Sequence, residues 1–138
     1  MEKLLLIAHL IFIAMGTGMS FSNFVNVRLA QGQSGDIAKG LALQRRTIGK
    51  IGDAVVALIW VSGLALFWTV APETSGWFHA KLGFVVLLTA SHVMARRTGI
   101  EIARGGNAAL LARLELYAAA VWLSALAAIL LAVVAFEA

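Results

Sequence analysis

Four long apolar stretches are the feature of this sequence that most limits its fold. They cover about residues 4–24, 52–71, 77–95 and 112–136. A helix needs ~20 consecutive apolar residues to cross a hydrocarbon core ~30 Å thick, and each stretch has about that length. Because no water is present in the core to satisfy backbone polar groups, these stretches should be helical. We therefore predict an all-α fold, in which the 138 residues form a single domain, an integral membrane four-helix bundle.

Composition supports this class and excludes some chemistry. The chain is 61% hydrophobic and only 13% charged, whereas about 25% of the residues in a soluble domain are charged. No small-residue cleavage site follows the first apolar stretch, so we expect it to remain as helix one. The sequence contains no cysteine, which excludes disulfides, thiolate metal sites and thiol catalysis.

The basic residues predict how the helices are oriented. Most of them lie within residues 28–50 and 96–113, and none occurs in the 72–76 turn or after residue 113. Positively charged loops remain in the cytoplasm. We therefore predict a multi-pass protein of the bacterial inner membrane with both termini periplasmic. Because topology accounts for the net charge of +4, nucleic acid is not an expected partner; membrane lipid is.

Ionisable side chains within the apolar stretches are candidates for function, because charge is costly in hydrocarbon and such groups usually face the bundle interior. Two of them, Asp53 and Glu115, lie near the cytoplasmic ends of their helices, close to Lys50 and Arg113. We expect these two carboxylates to form ion pairs near the surface. The others are His9, His79, Lys81 and His92.

His9 belongs to a small, polar helix face. Gly16, Ser20 and Asn23 follow it at intervals that keep all four residues on one side of a helix with 3.6 residues per turn. The flat edge of a macrocycle could lie against Gly16, where a larger side chain would collide with it. Alternatively, this face serves close packing between helices, with hydrogen bonds across the contact.

Depth in the membrane limits which groups can meet His9. At 1.5 Å per residue, His9 lies ~8 Å from the outer surface, His79 ~3 Å and Lys81 ~6 Å. His79 and Lys81 point in directions ~200° apart around their helix, so they should not both face one centre.

His92 lies ~22 Å deep, too far from His9 to share a metal with it. It lies about one helical turn before Arg96 and Arg97, toward the cytoplasmic side. His92 and Arg96 could therefore hold a propionate, His92 could serve a second haem, or it could hydrogen-bond a neighbouring helix.

Helix four carries a ridge of small residues that allows another helix to approach closely. The ridge consists of Ala120, Ser124, Ala128 and Ala132. We favour packing inside the bundle. A homodimer or a larger membrane complex remains the alternative.

Several motifs resemble the HemJ-type protoporphyrinogen oxidases and the related CopD-like membrane proteins. The match includes Trp77-Phe78-His79-Ala80-Lys81-Leu82 followed by His92, His9-Leu10-Ile11-Phe12 in helix one, and Arg45-Arg46 before helix two. The resemblance covers about residues 4–95. It implies haem b within the bundle, a porphyrin as substrate, an oxidoreductase activity (porphyrin oxidation or electron transfer), and His9 and Lys81 as the functional pair.

We therefore expect His9 to ligate iron, with His79 as the second ligand or with five-coordinate iron, and Lys81 beside the macrocycle. A copper-handling protein, using His9, His79 and Met15 or Met19, is one alternative. An accessory transmembrane subunit of a larger complex is another.

Overall fold

The computed structural model describes residues 2–70, 76–107 and 109–137. Within these ranges the regular structure is entirely helical, which confirms the predicted fold class. The four helices are α1 (Glu2–Ala30), α2 (Gly35–Val70), α3 (Gly76–Ala103) and α4 (Ala109–Glu137). Each contains a segment long and apolar enough to cross a membrane.

The helices extend well beyond the apolar stretches, chiefly at one end of the bundle. The apolar stretches leave residues 25–51 as a connection between helices one and two, but α2 already begins at Gly35, and only residues 31–34 join it to α1. Hydropathy detects the part of a helix that lies in hydrocarbon. It does not detect where backbone hydrogen bonding ends, so polar helical turns outside the membrane were missed.

A glycine cap terminates α3. Gly105 has a φ of +97°, a conformation that side chains with a Cβ rarely adopt. The amide of Gly106 donates to the carbonyl of Glu101 (3.0 Å), and that of Gly105 donates to Ile102 (3.1 Å). These two bonds form a Schellman motif.

The α4 helix provides most of the buried core. It packs against α3 and α1, and α1 in turn packs against α2. The buried face of α4 consists of Leu114, Ala118, Val121, Ala125 and Ala128. Ser124 is buried as well, so the small-residue ridge packs at least partly inside the bundle, as we favoured.

In contrast, α2 and α3 make few close backbone contacts. Side chains bridge them instead. The indole of Trp60 donates to Thr89 Oγ1 (3.0 Å), and the rings of Phe67 and Phe78 stack with centroids 5.5 Å apart. We call the end of the bundle with residues 31–34 and 104–107 the loop end, and the opposite end, with the N-terminus of α1, the terminus end.

Candidate functional site: a cavity among the four helices

A cavity of about 1580 Å³ lies among the helices and is lined by residues of all four. Sites for small ligands usually occupy ~300–1,000 Å³ and are mainly apolar with a few placed polar groups. Most side chains around this cavity are Leu, Ile, Val and Ala. The cavity therefore has the size and lining to hold a large apolar ligand.

The predicted polar face of α1 lines this cavity. His9, Gly16, Ser20 and Asn23 all contribute to its wall, as their spacing indicated. An ideal Cβ on Gly16 would lie 3.2 Å from Ile59 Cδ1 and 3.3 Å from Cγ1 of Val55. Gly16 thus also permits the close approach of α1 to α2, which was the alternative interpretation of this face.

The imidazole of His9 is held in place by α2. The hydroxyl of Ser62 donates to the Leu58 carbonyl (2.6 Å), which uses its single proton. The Nδ1–H of His9 is therefore assigned as the donor to Ser62 Oγ (2.7 Å). This tautomer leaves the Nε2 lone pair unprotonated.

Nε2 of His9 opens onto the cavity. Among the described residues, every buried side-chain nitrogen or oxygen has a hydrogen-bond partner. Nε2 makes no such bond, so it is not enclosed by protein. On the α2 side the ring lies against Gly63, where an ideal Cβ would be 3.2 Å from His9 Cε1. Protein-bound metals are typically held by a histidine whose second nitrogen is fixed in this way.

Lys81 and His79 have different surroundings. Lys81 is half-buried, lines the cavity and is close enough to His9 for the two to interact electrostatically. His79 is exposed and does not line the cavity, and its ring meets that of Phe78 edge-on with centroids 5.9 Å apart. The structure therefore brings Lys81, and not His79, into the cavity with His9.

His92 and Arg96 bind a carboxylate on the neighbouring helix. His92 Nε2 lies 2.8 Å from Asp53 Oδ1, and Arg96 Nε donates to both oxygens of Asp53 at 3.1 Å. Three roles were considered for His92, and its contact with Asp53 on α2 corresponds to the third, a hydrogen bond to a neighbouring helix. Gly52 makes room for it, since an ideal Cβ there would be 3.0 Å from His92 Cε1.

The two carboxylates near the helix ends form ion pairs, as predicted, but with other partners than the basic residues nearest in sequence. Asp53 pairs with α3 rather than with Lys50. Glu115 accepts from Arg28 (2.7 Å) and from the amide of Gln31. Both pairs therefore join different helices.

The separation of the two histidines follows from their partners on α2. Ser62, which holds His9, and Asp53, which holds His92, are nine residues apart, or ~14 Å along the helix. His92 therefore cannot ligate the same metal as His9, as the depth estimate indicated.

No compact metal cluster is found in the described ranges, where no group of three or more His, Cys, Asp and Glu residues is placed to hold an ion. The candidate copper ligands are also dispersed. Met15 is exposed and does not line the cavity, whereas Met19 lines it ten residues from His9, ~15 Å along α1.

Asn26 is a functional candidate that the sequence did not reveal. It is 3% exposed, and its amide donates to Gln44 Oε1 (2.7 Å) and the Leu41 carbonyl (3.3 Å). Its oxygen accepts from Arg45 Nη1 (3.0 Å). Asn26 lies after the apolar part of helix one, so it looked like an ordinary interfacial residue. Ser62 gave no signal, because serine is common in such helices.

Comparison of the chain with protein-family models, with curated proteins and with solved structures finds no match. The features that bear on function are therefore the cavity and the two side chains His9 and Lys81 in its wall.

Proposed function

We propose that the protein binds haem b in the cavity, with His9 Nε2 as an iron ligand. The observation that carries this proposal is the position of His9, whose Nδ1 is fixed by Ser62 while Nε2 opens onto the cavity. Neutral imidazole is a common haem ligand, and an apolar bundle interior suits the macrocycle.

The residues present fit this group. The cavity exceeds the usual volume of a small-ligand site, and one imidazole nitrogen is available without loss of another contact. When bound, haem supplies one-electron redox chemistry. His79 lies outside the cavity and His92 is bonded to Asp53, so His9 would be the single histidine that holds the haem.

Lys81 is assigned to the substrate. Its amine lies in the same cavity as His9 and pairs with no carboxylate of the described residues. Porphyrinogen oxidation releases protons together with electrons that must pass to an external electron acceptor, and Nζ in its neutral form would accept one of the protons. In its charged form it would bind a porphyrin carboxylate. This activity also follows from the resemblance to the HemJ-type proteins, and electron transfer alone is the simpler alternative.

For the membrane orientation, we propose that the loop end is cytoplasmic and that both termini are periplasmic in a bacterial inner membrane. The supporting observation is the concentration of Lys and Arg at the loop end. The haem would then lie nearer the periplasmic side.

Absorption spectroscopy tests the cofactor. The purified protein, supplied with haemin and freed of excess, should give a Soret band that His9→Ala abolishes or strongly reduces. His79→Ala is the matched control, because it removes a histidine of α3 outside the cavity, and it should leave the band unchanged. A wild-type protein without a Soret band, or a His9→Ala variant with unchanged haem content and spectrum, would refute the proposal. Metal analysis of the same sample tests the alternative, because a copper-handling protein would contain copper and show no Soret band.

A further inference from the structure

The loop-end half of the cavity is lined by a group of cationic side chains. We call them the cationic lining: Arg45, Arg46, Lys50, Arg96 and Arg104. Among the described residues of the cavity wall, the single carboxylate is that of Glu2, which lies at the terminus end. Asp53, just outside the wall, already pairs with Arg96, and the other four cations give the loop-end half a net positive charge that should attract an anion.

Two of these guanidinium groups are held by buried or bridging polar groups. Arg45 donates to the oxygen of Asn26, which is itself fixed by two further hydrogen bonds. Arg96 is oriented by both oxygens of Asp53, and Gly49 leaves space beside it, since an ideal Cβ there would be 3.0 Å from Arg96 Cζ. Basic residues that only set the membrane orientation of a helix do not need hydrogen bonds that fix their side chains.

This region is too far from His9 to serve the proposed haem. Arg45 precedes Ser62, the partner of His9, by 17 residues, which is ~26 Å along α2. Arg96 follows Lys81 by 15 residues, ~22 Å along α3. For Arg45 and Arg96 these distances exceed the reach of the propionates of a haem ligated at His9, so an anion bound there would belong to a different ligand.

The ligand must be apolar along most of its length. Between the two ends the wall includes Val55, Ile59, Val85 and Leu88. The α2 and α3 backbones make few close contacts, and side chains bridge the space between them. A ligand with an anionic group at one end and an apolar body along the wall is a membrane amphiphile.

We propose that the loop-end half of the cavity binds an anionic phospholipid, with its phosphate on the cationic lining and its acyl chains along the apolar wall. Guanidinium groups match phosphate oxygens in charge and in bidentate geometry, which favours this headgroup. The site is separate from that of the haem and does not depend on it.

Native mass spectrometry of the full chain tests this site. The protein is released from bilayers of phosphatidylglycerol and phosphatidylcholine, and the bound lipid is identified by mass. The site variant is Arg45→Gln with Arg46→Gln. The matched control is Arg97→Gln with Arg113→Gln, which removes the same charge from the same end of the bundle but outside the cavity wall.

Wild type and the control should retain phosphatidylglycerol in preference to phosphatidylcholine. In the site variant the ratio of bound phosphatidylglycerol to bound phosphatidylcholine should fall about 10- to 30-fold. Equal loss in both double variants would assign the effect to surface charge and overturn the proposal, as would no loss in either. Displacement of the lipid by inorganic phosphate at low concentration would assign the site to a free anion.

The same preparations separate this proposal from the haem proposal. The Soret band of the site variant should match that of wild type, which also shows that the variant is folded. If no preparation binds haem, circular dichroism and thermal unfolding provide the folding control, and the lipid result stands by itself.

Discussion

Gly63→Ala tests whether the exact placement of the His9 ring matters for haem binding rather than for folding. The new Cβ would lie 3.2 Å from His9 Cε1, 3.8 Å from Nε2 and 3.9 Å from Nδ1. Carbon atoms in favourable contact are ~3.5–4.0 Å apart, so the ring must move by a few tenths of an ångström. That movement weakens the bond from Nδ1 to Ser62.

The expected effect on stability is small because two terms oppose each other. Alanine is favoured over glycine inside a helix by ~1 kcal/mol. A weakened hydrogen bond costs ~0.5–1.5 kcal/mol. The free energy of unfolding should therefore stay within about 1 kcal/mol of the wild-type value.

Haem affinity should respond much more strongly. Loss of the group that orients a metal-ligating histidine typically lowers affinity 10- to 100-fold. Because Gly63→Ala weakens this bond without removing Ser62, we expect the lower end of that range, about 10-fold, which corresponds to about 1.4 kcal/mol. Titration of the apoprotein with haemin, followed by the Soret band, measures this change, and thermal unfolding in detergent measures stability.

Gly18→Ala is the matched control for this substitution. Gly18 is a helical glycine with no atom near the position of its Cβ, so alanine there should leave haem affinity unchanged. Equal haem affinity in the two variants would refute the assignment of His9 as a ligand positioned by α2.

Three further predictions, one of them with Asp36→Leu as its control variant, concern other parts of the bundle. Lys81→Met should leave the Soret band in place and abolish porphyrinogen oxidation; a low-spin spectrum of the wild type that this variant converts to high spin would instead identify lysine as a second iron ligand. Asp53→Leu removes the partner of two α3 side chains and, because Asp53 is half exposed, should lower the free energy of unfolding by only about 1 kcal/mol. Asp36→Leu, at an exposed ion pair on one helix, should cause no measurable change. A reporter fused at residue 138 should be periplasmic and one inserted near Gly35 cytoplasmic, and the opposite result would reverse the orientation.

The sequence predicted the number and class of the helices because membrane-crossing segments have a strong signal in length and hydropathy. It also placed His9, Gly16, Ser20 and Asn23 on one face, since helical period alone determines that relation. Both results depend only on information within a single helix.

Relations between helices could not be obtained in the same way. The pairing of Asp53 with α3 depends on how α2 is rotated about its axis and on the room left by Gly52. The sequence proposed Lys50 because it is near in the chain. Likewise, the choice of Lys81 over His79 for the cavity required the rotation of α3, because the spacing of these two residues allows either one to face inward.

The length of α2 has a mechanical consequence. Its 36 residues span ~54 Å, whereas the hydrocarbon core is ~30 Å thick, so several turns project beyond the bilayer as one continuous helix. A helix without an internal break transmits rotation along its axis. A torque applied to the projecting turns would therefore turn Asp53 relative to α3.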